Sequence, residues 1–166
     1  MAKIALLRID SRLIHGQVVS AWVKVTQAKR IIIIDDWCAN DALSAQIFAM
    51  AAPPAVKVEV MTVEDAVNGW KKDQFGNVGP ILVLFKTVEG AYRSYQQGLV
   101  FDALQVGGIP GGPGRIAVEG TIALNQEDAS MLQQLSQSGV HITFQLTTDT
   151  KVREWKAIQE KHFPKL

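Results

Sequence analysis

Apolar residues along the chain fall into two patterns that alternate. Short continuous runs have the length and β-branched content of strands buried on both faces. They lie at Ile4–Ile9, Arg30–Asp35, Val56–Met61, Ile81–Phe85, Asp102–Val106, a weaker Thr121–Leu124, and Val140–Gln145. Between most of them the apolar residues recur at helical spacing. Val18, Trp22 and Val25 predict the buried stripe of a helix that begins at about Gly16. Asn40 is the expected cap of a helix burying Leu43, Ile47 and Met50 or Ala51, stopped by Pro53–Pro54. Thr62-x-x-Asp65 opens a helix carrying Val63, Ala66, Val67 and Trp70, and Thr87 opens another that should end at Gly98. Asn125 caps a helix through Met131, Leu132 and Leu135, with Gly139 placed to terminate it. A last helix is predicted from about Lys151 to Phe163 through Val152, Trp155 and Ile158.

Such alternation predicts an α/β fold: one open, mostly parallel sheet of about seven strands with helices on both faces and right-handed crossovers. No internal repeat or linker interrupts it, so residues 1–166 are expected to form a single domain. Gly107–Gly114 is the one Gly/Pro-rich stretch, and its length suits a loop.

Composition narrows the function. A formal net charge of +1 argues against a nucleic-acid binder held by a general positive field. Hydrophobic residues at 48% and charged ones at 20% are globular rather than disordered values. The single cysteine, Cys38, excludes an intrachain disulfide and paired-cysteine zinc sites. No run approaches the roughly 20 apolar residues of a membrane span, and the N-terminal apolar stretch is too short for a signal peptide. A cytoplasmic domain without direct membrane insertion is the expectation.

In open α/β sheets, ligands meet the carboxyl ends of the strands near the topological switch point. One such end stands out. Arg8, Asp10, Arg12 and His15 crowd the end of the first strand, and the next helix starts at about Gly16 and Gln17. A helix N-terminus offers unpaired N–H groups and positive dipole to an anion, a phosphoryl group in particular. Gly16 beside the histidine permits close approach. Neutral imidazole is a competent nucleophile near pH 7. Arg12 can neutralise phosphoryl oxygens with a fork of donors. Asp10 can hold one ring nitrogen and leave the other free to attack. The bland alternatives are a capping or packing histidine and a surface Arg8–Asp10 ion pair worth at most about 1 kcal/mol.

The run Arg-Ile-Asp-Ser-Arg-Leu-Ile-His-Gly-Gln-Val at residues 8 to 18 closely resembles the signature of the IIB components of the mannose/fructose/sorbose family of the bacterial sugar phosphotransferase system (PTS). The likeness extends along the whole chain and includes Val106-Gly-Gly-Ile-Pro-Gly-Gly-Pro-Gly-Arg115. Ser11 stands where relatives often carry an acidic residue.

The resemblance implies a seven-stranded sheet, mostly parallel with one antiparallel edge strand. It implies a protein-phosphohistidine–sugar phosphotransferase in which His15 accepts a phosphoryl on Nδ1 from a phosphohistidine of a IIA domain. The group then passes to a sugar held by a membrane IIC–IID complex, with which the domain would associate peripherally. Arg12 would steady the phosphoryl, and Asp10 would orient the ring or shape the loop. No metal or nucleotide cofactor is called for. Pairing into a homo-oligomer stays open, as does the sugar.

Further residues are weighed beside this reading. Lys86 follows the fourth strand and lies near His15 if that strand neighbours the first. Gly107 and Gly108 end the fifth strand and are candidates for backbone approach to the same site, while the rest of their loop more plausibly sets shape. Leu13 and Ile14 are expected to contribute an apolar docking surface around His15, and Trp37 to extend it. Gly112 to Ala117 fits a dinucleotide pattern poorly, since a strand rather than a helix follows it. Asp35-Asp36 lacks a third acidic ligand for a metal. His141 and His162 read as structural or surface residues. The rival function is a non-catalytic module binding a sugar phosphate or nucleotide at the same helix N-terminus. A hydrolase using Asp10 and His15 lacks a well-placed nucleophile, Ser11 having only proximity in its favour.

Overall fold

Isoleucines 31 to 34 divide between two cores, and that division organises the fold. Ile31 and Ile33 point to one face of the sheet and Ile32 and Ile34 to the other, all fully buried. Period-two alternation of side chains requires this of a strand covered on both sides. The computed structural model describes all 166 residues. Strand β2 (Arg30–Ile34) lies between β3 (Lys57–Met61) and β4 (Ile81–Phe85), and β4 pairs with β1 (Ile4–Ile9). Beyond β1 come β5 (Ala103–Val106), β8 (His141–Phe144) and β9 (Arg153–Glu154), giving the order β3-β2-β4-β1-β5-β8-β9. Every pairing is parallel except β8 with β9.

The expected count of seven strands and the single antiparallel edge are both present, but one member differs. The Thr121–Leu124 segment does not join the sheet. As β7 (Ile122–Leu124) it forms a separate antiparallel hairpin with β6 (Ile116–Glu119). The seventh strand is the two-residue β9, too short to show a pattern in sequence. It also delays the last helix, α7, to Trp155–His162.

The two faces are unequally clothed. Helices α4 (Val63–Asp73), α5 (Val88–Gln97), α6 (Gln126–Gln137) and α7 cover one face, with 31 buried apolar residues. On the other lie α1 (Gly16–Thr26), a one-turn α2 (Asp36–Ala39) and α3 (Ala42–Ala51), over ten. That second layer covers β3, β2, β4 and β1 and puts no helix over β5 and β8. Both strands therefore alternate: Leu104, Val106, Ile142 and Phe144 point into the larger core, while Ala103, Gln105, His141 and Thr143 face the other way. Ala103 and His141 are exposed and Thr143 is half-buried, so this face is not sealed as expected; Gln105 is the one buried residue there, held against Arg8.

Three of the four signalled N-caps hold, and Asn40 does not. Thr62 accepts from the Asp65 N–H at 3.0 Å and Thr87 from the Gly90 N–H at 3.0 Å, and Asn125 and Asp128 form a reciprocal box. Two stripes are misplaced. In α1 the buried residues are Val19 and Trp22, and Val25 is exposed. In α3, Leu43, Ile47 and Met50 are 61%, 53% and 86% exposed, and the helix rests on Ser44 and Phe48 instead. Its sequence is apolar almost all round, so spacing does not identify a face. Its N-cap is Asp41; Asn40 closes α2, donating from Nδ2 to the Asp36 carbonyl at 2.8 Å.

Candidate active site

Strand β1 is flanked by β4 and β5, yet its following helix lies on the opposite face from theirs. The loop leaving β1 therefore emerges at the switch point of the sheet, where no neighbouring connection crosses it. The Asp10 N–H donates to the Phe85 carbonyl at 2.9 Å and the Ser11 N–H to the Gly108 carbonyl at 2.8 Å, tying the loop to both neighbours. Leu13 and Ile14 turn inward and are buried with Val19 and Trp22. They anchor the loop and do not form the docking surface expected of them. Leu13 takes φ 58°, a left-handed conformation costing a leucine roughly 1–2 kcal/mol, which burial of its side chain offsets. With those two residues fixed inside, Arg12 and His15 on either side are aimed outward.

Asp10 is the hub. Its Oδ1 accepts the Arg12 backbone N–H at 3.1 Å, and its Oδ2 lies 3.2 Å from Nε2 of His15. A carboxylate oxygen accepts, so in this contact Nε2 is the donor, and Nδ1 is left without a hydrogen-bond partner. His15 makes no other side-chain hydrogen bond, and its side chain is 18% exposed. It occupies the N-cap position of α1 without capping it, and no acidic residue sits in the first turn. The N–H groups of Gly16 and Gln17 thus remain available beside the ring. Gly16 has φ 49° and open space where a Cβ would stand. The arrangement is a nucleophilic nitrogen next to an anion-attracting helix end.

Arg12 is exposed and engages no carboxylate. Lys86 ends β4 beside the loop, its Nζ 5.5 Å from the centroid of the Trp37 ring, itself largely exposed on α2. Together with Ser11, Thr87, Ile109 and Gly111 it borders a crevice of about 200 Å³ at this end of the sheet. Arg115 reaches the same crevice, but its guanidinium donates to Asp128 Oδ2 at 2.8 Å and to the Ala123 carbonyl at 3.1 Å, binding the Gly/Pro loop to the start of α6.

Arg8 lies elsewhere than expected. It is 1% exposed, beneath the site rather than in it. One guanidinium nitrogen donates to Gln105 Oε1 and, at 2.8 Å, to the Gln145 carbonyl; the other donates to the Leu146 carbonyl at 2.8 Å and lies 3.5 Å from Asp10 Oδ2. Burial lowers its pKa to about 10, against the opposing pull of Asp10, so it is still cationic at neutral pH. Gly107 packs on this guanidinium, where a Cβ would collide, and Gly108 lies against the Asp10 carboxylate. Both glycines thus shape the floor of the site. The partners Gln105 and Gln145 were not singled out in the sequence; a glutamine inside an apolar strand was the available signal.

Three of the remaining candidates, Asp35, Asp36 and His141, have structural partners. Asp35 accepts the Cys38 N–H at 3.0 Å. The Val63 N–H and then Arg93, both at 2.9 Å, hold the Asp36 carboxyl below the usual carboxylate range. His141 pairs with Glu154 at 2.7 Å on the surface, whereas His162 Nε2 is buried near the C-terminus without a hydrogen-bond partner.

Residues 4–165 match the family model for the PTS system sorbose subfamily IIB component. The chain belongs to the sorbose subfamily of PTS IIB components. This IIB component is 33% identical over 162 residues to the sorbose-specific EIIB component of Klebsiella pneumoniae, covering 97% of this chain and 98% of that one. It is 28% identical over 151 residues to the mannose-specific EIIAB component of Escherichia coli K12, where it spans 46% of the longer protein. Among solved structures it resembles manxB from Thermoanaerobacter tengcongensis, with a TM-score of 0.92, 34% identity and 99% of each chain covered. IIB components serve in sugar uptake as phosphotransferases, passing a phosphoryl group from a IIA component to sugar. No helix is long and apolar enough to cross a membrane.

Proposed function

We propose that His15 is the phosphoryl carrier of this IIB component, loaded on Nδ1 by a phosphohistidine of a IIA domain and unloaded to a sugar held by a membrane IIC–IID complex. The contact between Asp10 Oδ2 and His15 Nε2 carries this reading, since it leaves Nδ1 as the free nucleophile at an uncapped helix end.

In the loading step the Nδ1 lone pair attacks phosphorus and the donor's N–P bond breaks, its electron pair returning to the donor imidazole. In the unloading step a sugar hydroxyl oxygen attacks phosphorus and the bond to Nδ1 breaks. That electron pair returns to His15, and the hydroxyl proton leaves to a base on the sugar-bearing partner or to water. Such transfers need alignment and charge stabilisation above all. Arg12 and the N–H groups of Gly16 and Gln17 supply the charge stabilisation, and Asp10 supplies the alignment. Arg12, Gln17, Lys86 and Trp37 belong to the surface that partners cover, and the domain works in the cytoplasm, peripherally at a transporter.

The test is incubation with phosphorylated IIA domain followed by mass spectrometry. His15→Ala is expected to take up no acid-labile phosphoryl, and Arg12→Ala to fold normally and load about ten-fold or more slowly. Uptake by His15→Ala overturns the assignment; an unchanged rate removes Arg12 from the mechanism.

A further inference from the structure

We infer that Arg8 is a positioning residue for His15, acting through Asp10 to keep the imidazole in the tautomer that leaves Nδ1 free. This rests on the reading of His15 as the carrier.

Arg8 cannot meet a phosphoryl group from its buried place. What it meets is the machinery behind the ring. Its Nη2 and His15 Nε2 converge on one oxygen, Asp10 Oδ2, at 3.5 and 3.2 Å. Its other donors reach the Gln105 side chain on β5 and the two carbonyls that follow β8. Its guanidinium carbon lies 4.7 Å from the centroid of Trp22 on α1, the helix that begins beside His15. One cation thus joins β1, β5, the end of β8 and α1 directly under the phosphoryl site. Gly107 leaves the space that the guanidinium fills.

A purely structural role accounts poorly for a charge here. Replacing a buried ion pair by well-packed apolar side chains is often neutral or stabilising. The hydrogen bonds to the two carbonyls need donors, but they do not need a cation 3.5 Å from Asp10. The cation matters to Asp10: it holds Oδ2 in the place where that oxygen accepts from His15 Nε2. Without Arg8, Oδ2 loses the partner that fixes it behind the ring and is free to turn away from Nε2. The Nε2–H form of His15 then loses its acceptor, and with it the preference that leaves Nδ1 unprotonated. Partners that orient a metal-bound imidazole from behind typically matter by about 10–100-fold in activity, and an effect of that order is expected of Arg8.

The experiment reads the ring directly. The ¹⁵N spectrum of His15 reports which nitrogen carries the proton, and loading from phosphorylated IIA domain reports the rate. Arg8→Met is expected to shift His15 toward the Nδ1–H tautomer and to slow loading about ten-fold or more. Arg8→Lys, which restores the cation, is expected to recover the Nε2–H tautomer in part. Should Arg8→Met fail to fold, Gly107→Ala displaces the guanidinium without removing it and is expected to move the same resonance. A folded Arg8→Met, or failing that Gly107→Ala, with wild-type tautomer and rate overturns the inference. A wild-type protein that never loads at His15 sinks the carrier reading instead, and the tautomer comparison still decides the role of Arg8.

Discussion

At the scale of single residues, the site is built by division of labour among neighbours in one short loop. Leu13 and Ile14 were expected to face a partner and instead hold the loop down. The sequence shows that two apolar residues separate Arg12 from His15, but not which way a non-helical, non-extended segment turns them. Asp10, Arg12 and His15 were legible as a group, because their chemistry and the end of a strand coincide. Arg8 was not, since its role depends on Gln105 and Gln145, brought near only by folding. Cys38 supplies a prediction of its own. Burial, and then the nearby Asp35 carboxylate, push its thiol up to about 11 from the ordinary 9.0. Above pH 9 the unfolded chain releases this proton while the native state keeps it, so stability contributed by Cys38 falls as pH rises toward about 11. Cys38→Ala is expected to flatten the denaturation midpoint against pH over that window. Native protein at pH 8 should resist iodoacetamide until denatured, and rapid native alkylation would contradict the buried thiol.

Among elements, strands were read more faithfully than helix faces. A strand of four buried isoleucines needs no phase, because both faces are covered. A helix needs one, and α3 lacks the polar residues that would set it. Hence the residues expected to be its core stripe are among the most exposed apolar side chains of the chain. The consequence for stability is direct. Ile33→Ala removes a fully buried side chain and is expected to cost about 2–5 kcal/mol, read from urea midpoints. Leu43→Ala, on the exposed face of α3, is expected to stay within about 0.5 kcal/mol. Equal losses at the two sites would mean that α3 lies otherwise than described. The misassigned strand has a different cause. Thr121–Leu124 has strand composition, and local composition does not say which sheet a strand joins.

For the molecule as a whole, the strand–helix alternation was enough to give the open parallel sheet and the end of it that matters. It did not give the unequal clothing of the two faces, which follows from how many crossovers pass on each side. The closing segment illustrates the point. Strand β9 covers part of the β8 edge, and Trp155 stacks between Phe144 and Phe163 at centroid distances of 6.1 and 6.4 Å. Deleting residues 153–166 uncovers Phe144 and the edge of β8 together. Such a truncation is expected to lose its cooperative thermal transition and to scatter light on warming. A monomeric, sharply melting product would show that the segment is dispensable.

The central place of β1 has a bearing on how the protein is made. Ile9 pairs with Phe85 on one side and Val106 on the other. The first strand to leave the ribosome therefore waits for both its flanking partners. The nascent chain cannot finish the floor beneath His15 until Gln105, Gln145 and Leu146 have all emerged, so a polypeptide stalled earlier displays the signature motif without the partners that hold Arg8 under it.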